Sequence, residues 1–303
     1  MLPGLRKKRA AGSRTPAGIR IRPRRMGFEL SRGYRPNWAR GDEFKTGFLN
    51  AVSCILPMGE DFFLRTMRNY RDRITDPDLA ADARHFCGQE GHHAHEHRKF
   101  NRLLADNGYP GLARIDAWQD RFNEWLIRHT SPETQFAFTT GAEHLTSIMS
   151  HAFLSDPERW VDDEDEMGAM IFWHTVEEIE HKSVCFDVFE HVSGSYPQRL
   201  FGFAVLSGIL TGSILSRHLY MLYADGRLAQ PGTWWRLAGF YLGRHSDGGP
   251  GVVPLLLRDY LQYLRPGFHP WDIDDRALIE PWVSAWEDGE DMRRLRLEAV
   301  SAA

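Results

Sequence analysis

The chain has 303 residues, of which 42% are hydrophobic and 26% charged, and it carries a formal net charge of -4. That length can bury a sizeable core in one large domain or two small ones, and the composition is that of a globular protein. The small negative charge gives no reason to expect a nucleic-acid partner. Three cysteines with no C-x-x-C pair argue against a disulfide framework, which points to a reducing compartment, the bacterial cytoplasm.

The first forty residues hold twelve Lys or Arg and one acid, Glu29. The run "LRKKRAAGSRTPAGIRIRPRR" has no apolar stretch of the kind a secretory signal needs. Residues 1–17 are read as a disordered basic tail, with a membrane-surface or nucleic-acid arm as the sharper alternative. Residues 18–303 are read as a single helical metal-binding domain.

Helical periodicity dominates from about residue 43 to 223. In "TDPDLA" and "TSPETQ", Asp76 and Ser131 are N-caps, and Pro77 and Pro132 occupy the first helical position. The segments "DNGYPG", "SDPERW" and "VSGSYP" are stops. Long helices are expected near 43–73, 77–106, 132–154 and 163–193, with a shorter one over 112–129. Pro57 falls inside the first and marks either a kink or a new start. Leu200 to Ser216 is uncharged and rich in Gly and Ser. It is just short of a spanning length, so it is read as a buried helix packed through its small residues. Membrane contact, or the wall of an apolar channel, are the other readings. The fold expected is all-α: a ferritin-like four-helix bundle core over 43–193, with additional C-terminal helices over 198–303.

The run "QEGHHAHEHRKFN" lies in the second helix. Taken at spacings of three and four, one stripe of that helix reads Leu79, Ala83, Phe86, Glu90, His93, His97, Phe100, Leu104. It is apolar at both ends and polar in the middle, while His92, His95 and Glu96 fall off it and are expected to face outward. The fourth helix repeats the pattern with Met167, Ile171, His174, Glu178, His181, Cys185, Val188, Val192. Each stripe contains Glu-x-x-His, and residues three apart share a helix face, so each pair can grip one ion.

Glu60 lies within the apolar stripe Leu49, Val52, Leu56, Phe63, Met67 of the first helix. Glu143 lies among Phe136, Thr140, Ser147, Ser150 and Leu154 on the third, where small polar neighbours leave room for a cavity. The order Glu, Glu-x-x-His, Glu, Glu-x-x-His is the bundle plan of a carboxylate dimetal site. Four carboxylates facing one core would carry about -4, and burying each unpaired would cost several kcal/mol. Two divalent cations cancel that charge. The predicted ligands are Glu60, Glu90, His93, Glu143, Glu178 and His181. His97 and His174, one turn from these, are further ligands or partners that orient a ligand. Glu177, four before His181, is given a surface role with a place facing the site as the alternative, His144 a packing role, His269 of "GFHPW" a turn with a cavity cap as the alternative, and Cys185 the part of a small buried hydrophobe.

The stretches "FLNAVSCILPMGEDFF", "CGQEGHHAHEHRKFN", "GAEHLTSIM", "FWHTVEEIEHKSVCFDVF" and "RPGFHPWDIDD" resemble a bacterial family labelled predicted metal-dependent hydrolase, sometimes grouped with ferritin-like proteins. The resemblance spans roughly residues 20–275 and implies a metal-dependent enzyme. The hydrolytic zinc motif His-Glu-x-x-His is absent from the chain. A ligand set of carboxylates and imidazoles without thiolates suits iron first, manganese second and zinc less well. The expectation is therefore a di-iron oxidoreductase that uses O2 on an apolar or aromatic small molecule. A dimetal hydrolase working through a metal-bound hydroxide is the runner-up, followed by a non-catalytic iron-binding or ferroxidase protein. Expected partners are a small apolar substrate and O2, with a homodimer compatible and peripheral membrane association through 200–216 a secondary reading.

Overall fold

A computed structural model describes residues 12–32, 35–162 and 166–291. The described residues form helices joined by turns, and the fold is all-α. In chain order the helices are α1 (Glu43–Arg68), α2 (Pro77–Asp106), α3 (Leu112–His129), α4 (Pro132–Leu154), α5 (Glu166–His181), α6 (Val184–Val192), α7 (Tyr196–Ala224), α8 (Thr233–Leu242), α9 (Val252–Gln262) and α10 (Arg276–Glu287).

The caps read from sequence are in place. Asp76 Oδ1 accepts from the Leu79 amide at 2.8 Å, and Ser131 Oγ accepts from the Thr134 amide at 3.2 Å, each followed by proline at the first helical position. α1 continues through Pro57 without restarting. A proline has no N–H to give the carbonyl four residues back, and the Ser53 carbonyl instead accepts from Asn101 Nδ2 of α2 at 3.0 Å.

Three expectations about the elements change. The helix expected over 163–193 is two, because the chain leaves helical geometry at Lys182–Ser183, directly after His181. No glycine or proline marks the break. There the buried Lys182 ammonium donates to Asp275 Oδ2 at 2.5 Å and to the Ile273 carbonyl at 2.6 Å, contacts made by a segment about ninety residues away. Of the basic tail, residues 1–11 lie outside the described residues, whereas 12–17 are held. Ser13 donates to Asp82 at 2.7 Å, and Arg14 pairs with Asp187 at 3.0 Å. The arm continues across α2 and α5, where Arg24 is buried beneath Trp282 of α10.

The third change concerns 200–216. It lies in α7, whose inner face does pack closely: a Cβ at Gly202 would meet the Ala137 backbone at 2.7 Å, and one at Gly141 would meet Phe203 Cα at 2.9 Å. The outer face is not buried, since Phe201 is 56% exposed and a Cβ at Gly208 or Gly212 would meet nothing. Among the described residues, α7 is the helix long and apolar enough to cross a membrane by length and composition, and 22% of its most apolar window is buried.

α1 packs on α2, α4 packs on α5, α6 and α7, and α1 packs on both α4 and α7. α5 is buried on every side from Met167 to His181. Glu60 (α1), Glu90 and His93 (α2), Glu143 (α4), and Glu178 and His181 (α5) therefore converge in the space between these helices.

Candidate metal centre

All eight sequence-predicted metal-site residues are buried, and the six primary ones meet at one centre. Ligand atoms of Glu60, Glu90 and His93 lie within 4.8 Å of one another, as do those of Glu90, Glu143 and His181, and those of His93, His174 and Glu178. Glu90 belongs to two of these groups and sits between two halves of the site. Glu178 also reaches both halves, with Oε1 3.7 Å from His93 Nδ1 and Oε2 3.6 Å from His181 Nε2.

Hydrogen bonding on the far side of each imidazole fixes which nitrogen faces the carboxylates. His93 Nε2 lies 3.0 Å from Glu177 Oε2, and the other oxygen of that carboxylate, Oε1, is paired with Arg24; toward an ionised Glu177, Nε2 carries the proton and Nδ1 faces inward as a lone pair. His181 Nδ1 lies 2.9 Å from Gln89 Oε1, while the Gln89 amide nitrogen donates to Glu180 at 2.8 Å, so His181 points Nε2 inward. The third imidazole is fixed through a longer chain. Asn101 Nδ2 is spent on the Ser53 carbonyl, which turns Asn101 Oδ1 to the Ser53 hydroxyl at 2.9 Å. Ser53 Oγ then accepts from His97 Nδ1 at 2.8 Å, and His97 Nε2 accepts from His174 Nδ1 at 3.0 Å. His174 is left with its Nε2 lone pair 3.2 Å from Glu178 Oε1.

Lone pairs of three imidazoles thus face carboxylate oxygens with no donor between them. Both oxygens of Glu60, Glu90 and Glu143, together with Glu178 Oε2, His93 Nδ1 and His181 Nε2, are buried without a hydrogen-bond partner. Buried polar atoms are rarely left so, and a cluster of orphaned acceptors alone is what cations would satisfy. Burial first, and neighbouring carboxylates second, push Glu90 and Glu143 well above the usual carboxylate range, and Glu60 likewise through burial and Glu178. Burial opposes ionisation of Glu178 too, but in the metal-free chain a proton taken up on the facing nitrogens of His181 and His174 would hold it well below that range. Burial pushes His93 and His97 well down. The donor set, buried carboxylates and imidazoles without a thiolate, is of a kind that could hold metal ions.

The profile of a family described as "predicted metal-dependent hydrolase" matches residues 22–274. The chain belongs to that family. Comparison with curated proteins and with solved structures finds no match. The match starts just before Arg24 and ends just before Asp275, so in this metal-dependent hydrolase family member it takes in the buried arm as well as the helices that carry the site.

Several assignments shift once the packing is visible. His97 has both ring nitrogens in hydrogen bonds, to Ser53 and to His174, and His174 Nε2 faces Glu178; ligand atoms of Glu60, His97 and His174 also lie within 4.8 Å of one another. Glu177 is not on the surface. It is fully buried and holds His93 from behind, accepting also from the Arg24 amide and guanidinium at 3.2 and 3.1 Å. Arg24 further clamps Glu180 at 2.6 Å. Glu96 does not face solvent either; it is 3% exposed and paired with Lys99, because the arm that carries Phe28 lies over that face of α2. His92 is half-buried under the Arg24 carbonyl, and His95 is exposed as expected.

The remaining roles agree with their sequence readings. His144 packs against Tyr263, and burial lowers it to about 3. His269 caps a turn and meets Asp187, and Cys185 is a buried small side chain, its thiol pushed well up by burial. Arg24, Gln89, Glu180, Ser53 and Asn101 were invisible to stripe reasoning. The available signals were a polar residue beside each motif histidine on the helix and a proline four residues after Ser53.

Proposed function

We propose that the chain is a dinuclear metal-carboxylate enzyme in which Glu60, Glu90, His93, Glu143, Glu178, His181 and His174 hold two ions, iron before manganese and zinc. The observation that carries this reading is the buried, unpartnered set of His93 Nδ1, His181 Nε2, Glu178 Oε2 and both oxygens of Glu60, Glu90 and Glu143, with His174 Nε2 beside Glu178 Oε1. Protons on the carboxyls could fill some of these gaps, but two divalent ions fill them together and balance four negative charges. Bound iron would supply O2 activation, so the leading reading is oxidation of an apolar small molecule. The protein's part is to hold the imidazoles in one tautomer, to keep the site dry and to orient the substrate.

The surroundings favour this over hydrolysis. The cavity bordered by His174 is walled mainly by apolar side chains, Phe48, Val52, Met149 and Ile171 among them, with Thr146, Ser150 and Thr175 as its hydroxyls, which suits an apolar substrate. Hydrolysis is the second reading and rests on the family description. A paired site could also polarise an ester or activate a water.

Metal analysis of protein purified from iron-supplemented cells should give two ions per chain, and the ferrous protein should consume O2 on exposure to air. One tightly held zinc that iron does not replace would remove the dinuclear reading. Two ions with ester cleavage and no O2 uptake would select hydrolysis.

A further inference from the structure

We propose that an apolar passage leads from the outer face of α7 and α9 to His174, and that it admits a substrate through a straight alkyl chain. The proposal rests on the dinuclear reading at its inner end only; the passage itself is a property of the packing.

The inner chamber, about 70 Å³, lies between α1, α4, α5 and α9 and is bounded by the His174 ring. Its polar wall residues are largely spent. The Thr146 hydroxyl donates to the Glu143 carbonyl at 3.0 Å, and the Thr175 hydroxyl to the Phe172 carbonyl at 2.8 Å. A second chamber of about 300 Å³ lies under α7 and α9. Phe48, Met149, Val252 and Leu256 border both chambers, so the two adjoin at these side chains, which are the neck of the proposed passage. The outer chamber is spent in the same way: Tyr260 donates to Ser207 at 3.2 Å, and Tyr241 bonds His218 at 2.7 Å. At its outer end Val253 and Leu257 are 47% and 48% exposed.

Two features choose the ligand. A wall whose hydroxyls are mostly bonded already, Ser150 and Thr211 apart, offers little to a polar group, and a polar group buried there unpaired costs roughly 1–3 kcal/mol. The wall therefore selects hydrocarbon. The small inner chamber behind a neck of flexible Met149 and Leu256 suits a narrow chain that threads, not a rigid fused-ring body. The end of the chain that reaches His174 is the end presented to the ions.

The test is binding, read without turnover. Fluorescence titration with cis-parinaric acid, followed by displacement with saturated fatty acids of increasing length, should give saturable binding that tightens with chain length. Met149→Trp and Leu256→Trp fill the neck and should weaken the affinity by about 10-fold or more, while Met149→Leu keeps it. Metal content and helical circular dichroism are measured on the same preparations, so a misfolded variant is recognised and Met149→Leu carries the comparison. Supplying the fatty acid from solution and from phosphatidylcholine vesicles separates a free ligand from a membrane-held one, and uptake in either arm supports the passage. Absence of saturable binding in both arms, or Trp variants that bind as tightly as the parent, overturns it. Protein that binds the chain but no metal would fail the dinuclear reading and leave the passage standing. Two ions without chain binding would do the reverse.

Discussion

Asn101 Nδ2 donates to the main-chain carbonyl of Ser53 at 3.0 Å, the carbonyl that Pro57 leaves without its helical donor. One missing N–H thereby fixes the orientation of an amide, a hydroxyl and two imidazoles in turn, and ends at the His174 lone pair beside Glu178.

Ser53→Ala removes the acceptor that keeps the proton on His97 Nδ1, and His174 loses its fixed tautomer. Metal affinity should fall by about 10–100-fold, the range of a partner that orients a ligand. Combining Ser53→Ala with His97→Phe should cost little more than either alone, because both break one chain. The check is a metal titration of the three variants; an affinity equal to the parent's in Ser53→Ala would show that the chain does not reach the ions.

Glu178→Ala and Glu177→Ala should differ in kind. Glu178 faces both halves of the site, whereas Glu177 holds His93 Nε2 from behind. Loss of Glu178 should lower metal affinity well beyond about 100-fold, and loss of Glu177 should stay within about 10–100-fold. Side-by-side titrations decide, and a larger loss for Glu177→Ala would reverse the two roles.

Arg24 is 3% exposed and is the cation between Glu177 and Glu180. Arg24→Met leaves two buried carboxylates without it, which should cost about 3–5 kcal/mol of stability. Adding Glu180→Gln should recover part of that loss. Thermal unfolding of both variants is the measurement; an unchanged melting temperature in Arg24→Met would mean the pair contributes nothing net.

The pH dependence follows from the raised carboxyls. Glu60, Glu90 and Glu143 hold their protons more tightly in the folded chain than at the ordinary value of 4.5. Metal-free protein therefore loses their stabilising contribution as pH rises above about 4.5 toward the raised values. Glu178 runs the other way, its contribution being present above 4.5 and lost on acidification. His93, lowered from 6.5, also contributes only above that value and disfavours the folded state as pH falls through it. Ions bind the deprotonated forms of all five, so the melting-temperature difference between metal-loaded and metal-free protein should widen from about pH 5 to about pH 8. A difference that stays flat across that window would mean protons and ions do not compete for these groups.

The sequence by itself determined the helical class, the caps at Asp76 and Ser131 and the six converging residues, because helix periodicity is local and a buried Glu-x-x-His interrupts an apolar stripe visibly. It could not decide what covers the back of each motif helix. Stripe reasoning assigns Glu177 and Glu96 to solvent because they lie off the apolar face, and that holds only for a helix with one buried side. Only the tertiary structure shows that α5 is enclosed all round, by Arg24 of a distant arm and Trp282 of α10 among others. The same limit hid the break at Lys182, which coincides with long-range contacts of its ammonium and not with any helix-breaking residue, and the choice between His97 and His174. That choice depends on where the protons sit, and a proton's position is set by partners that chain order does not place side by side.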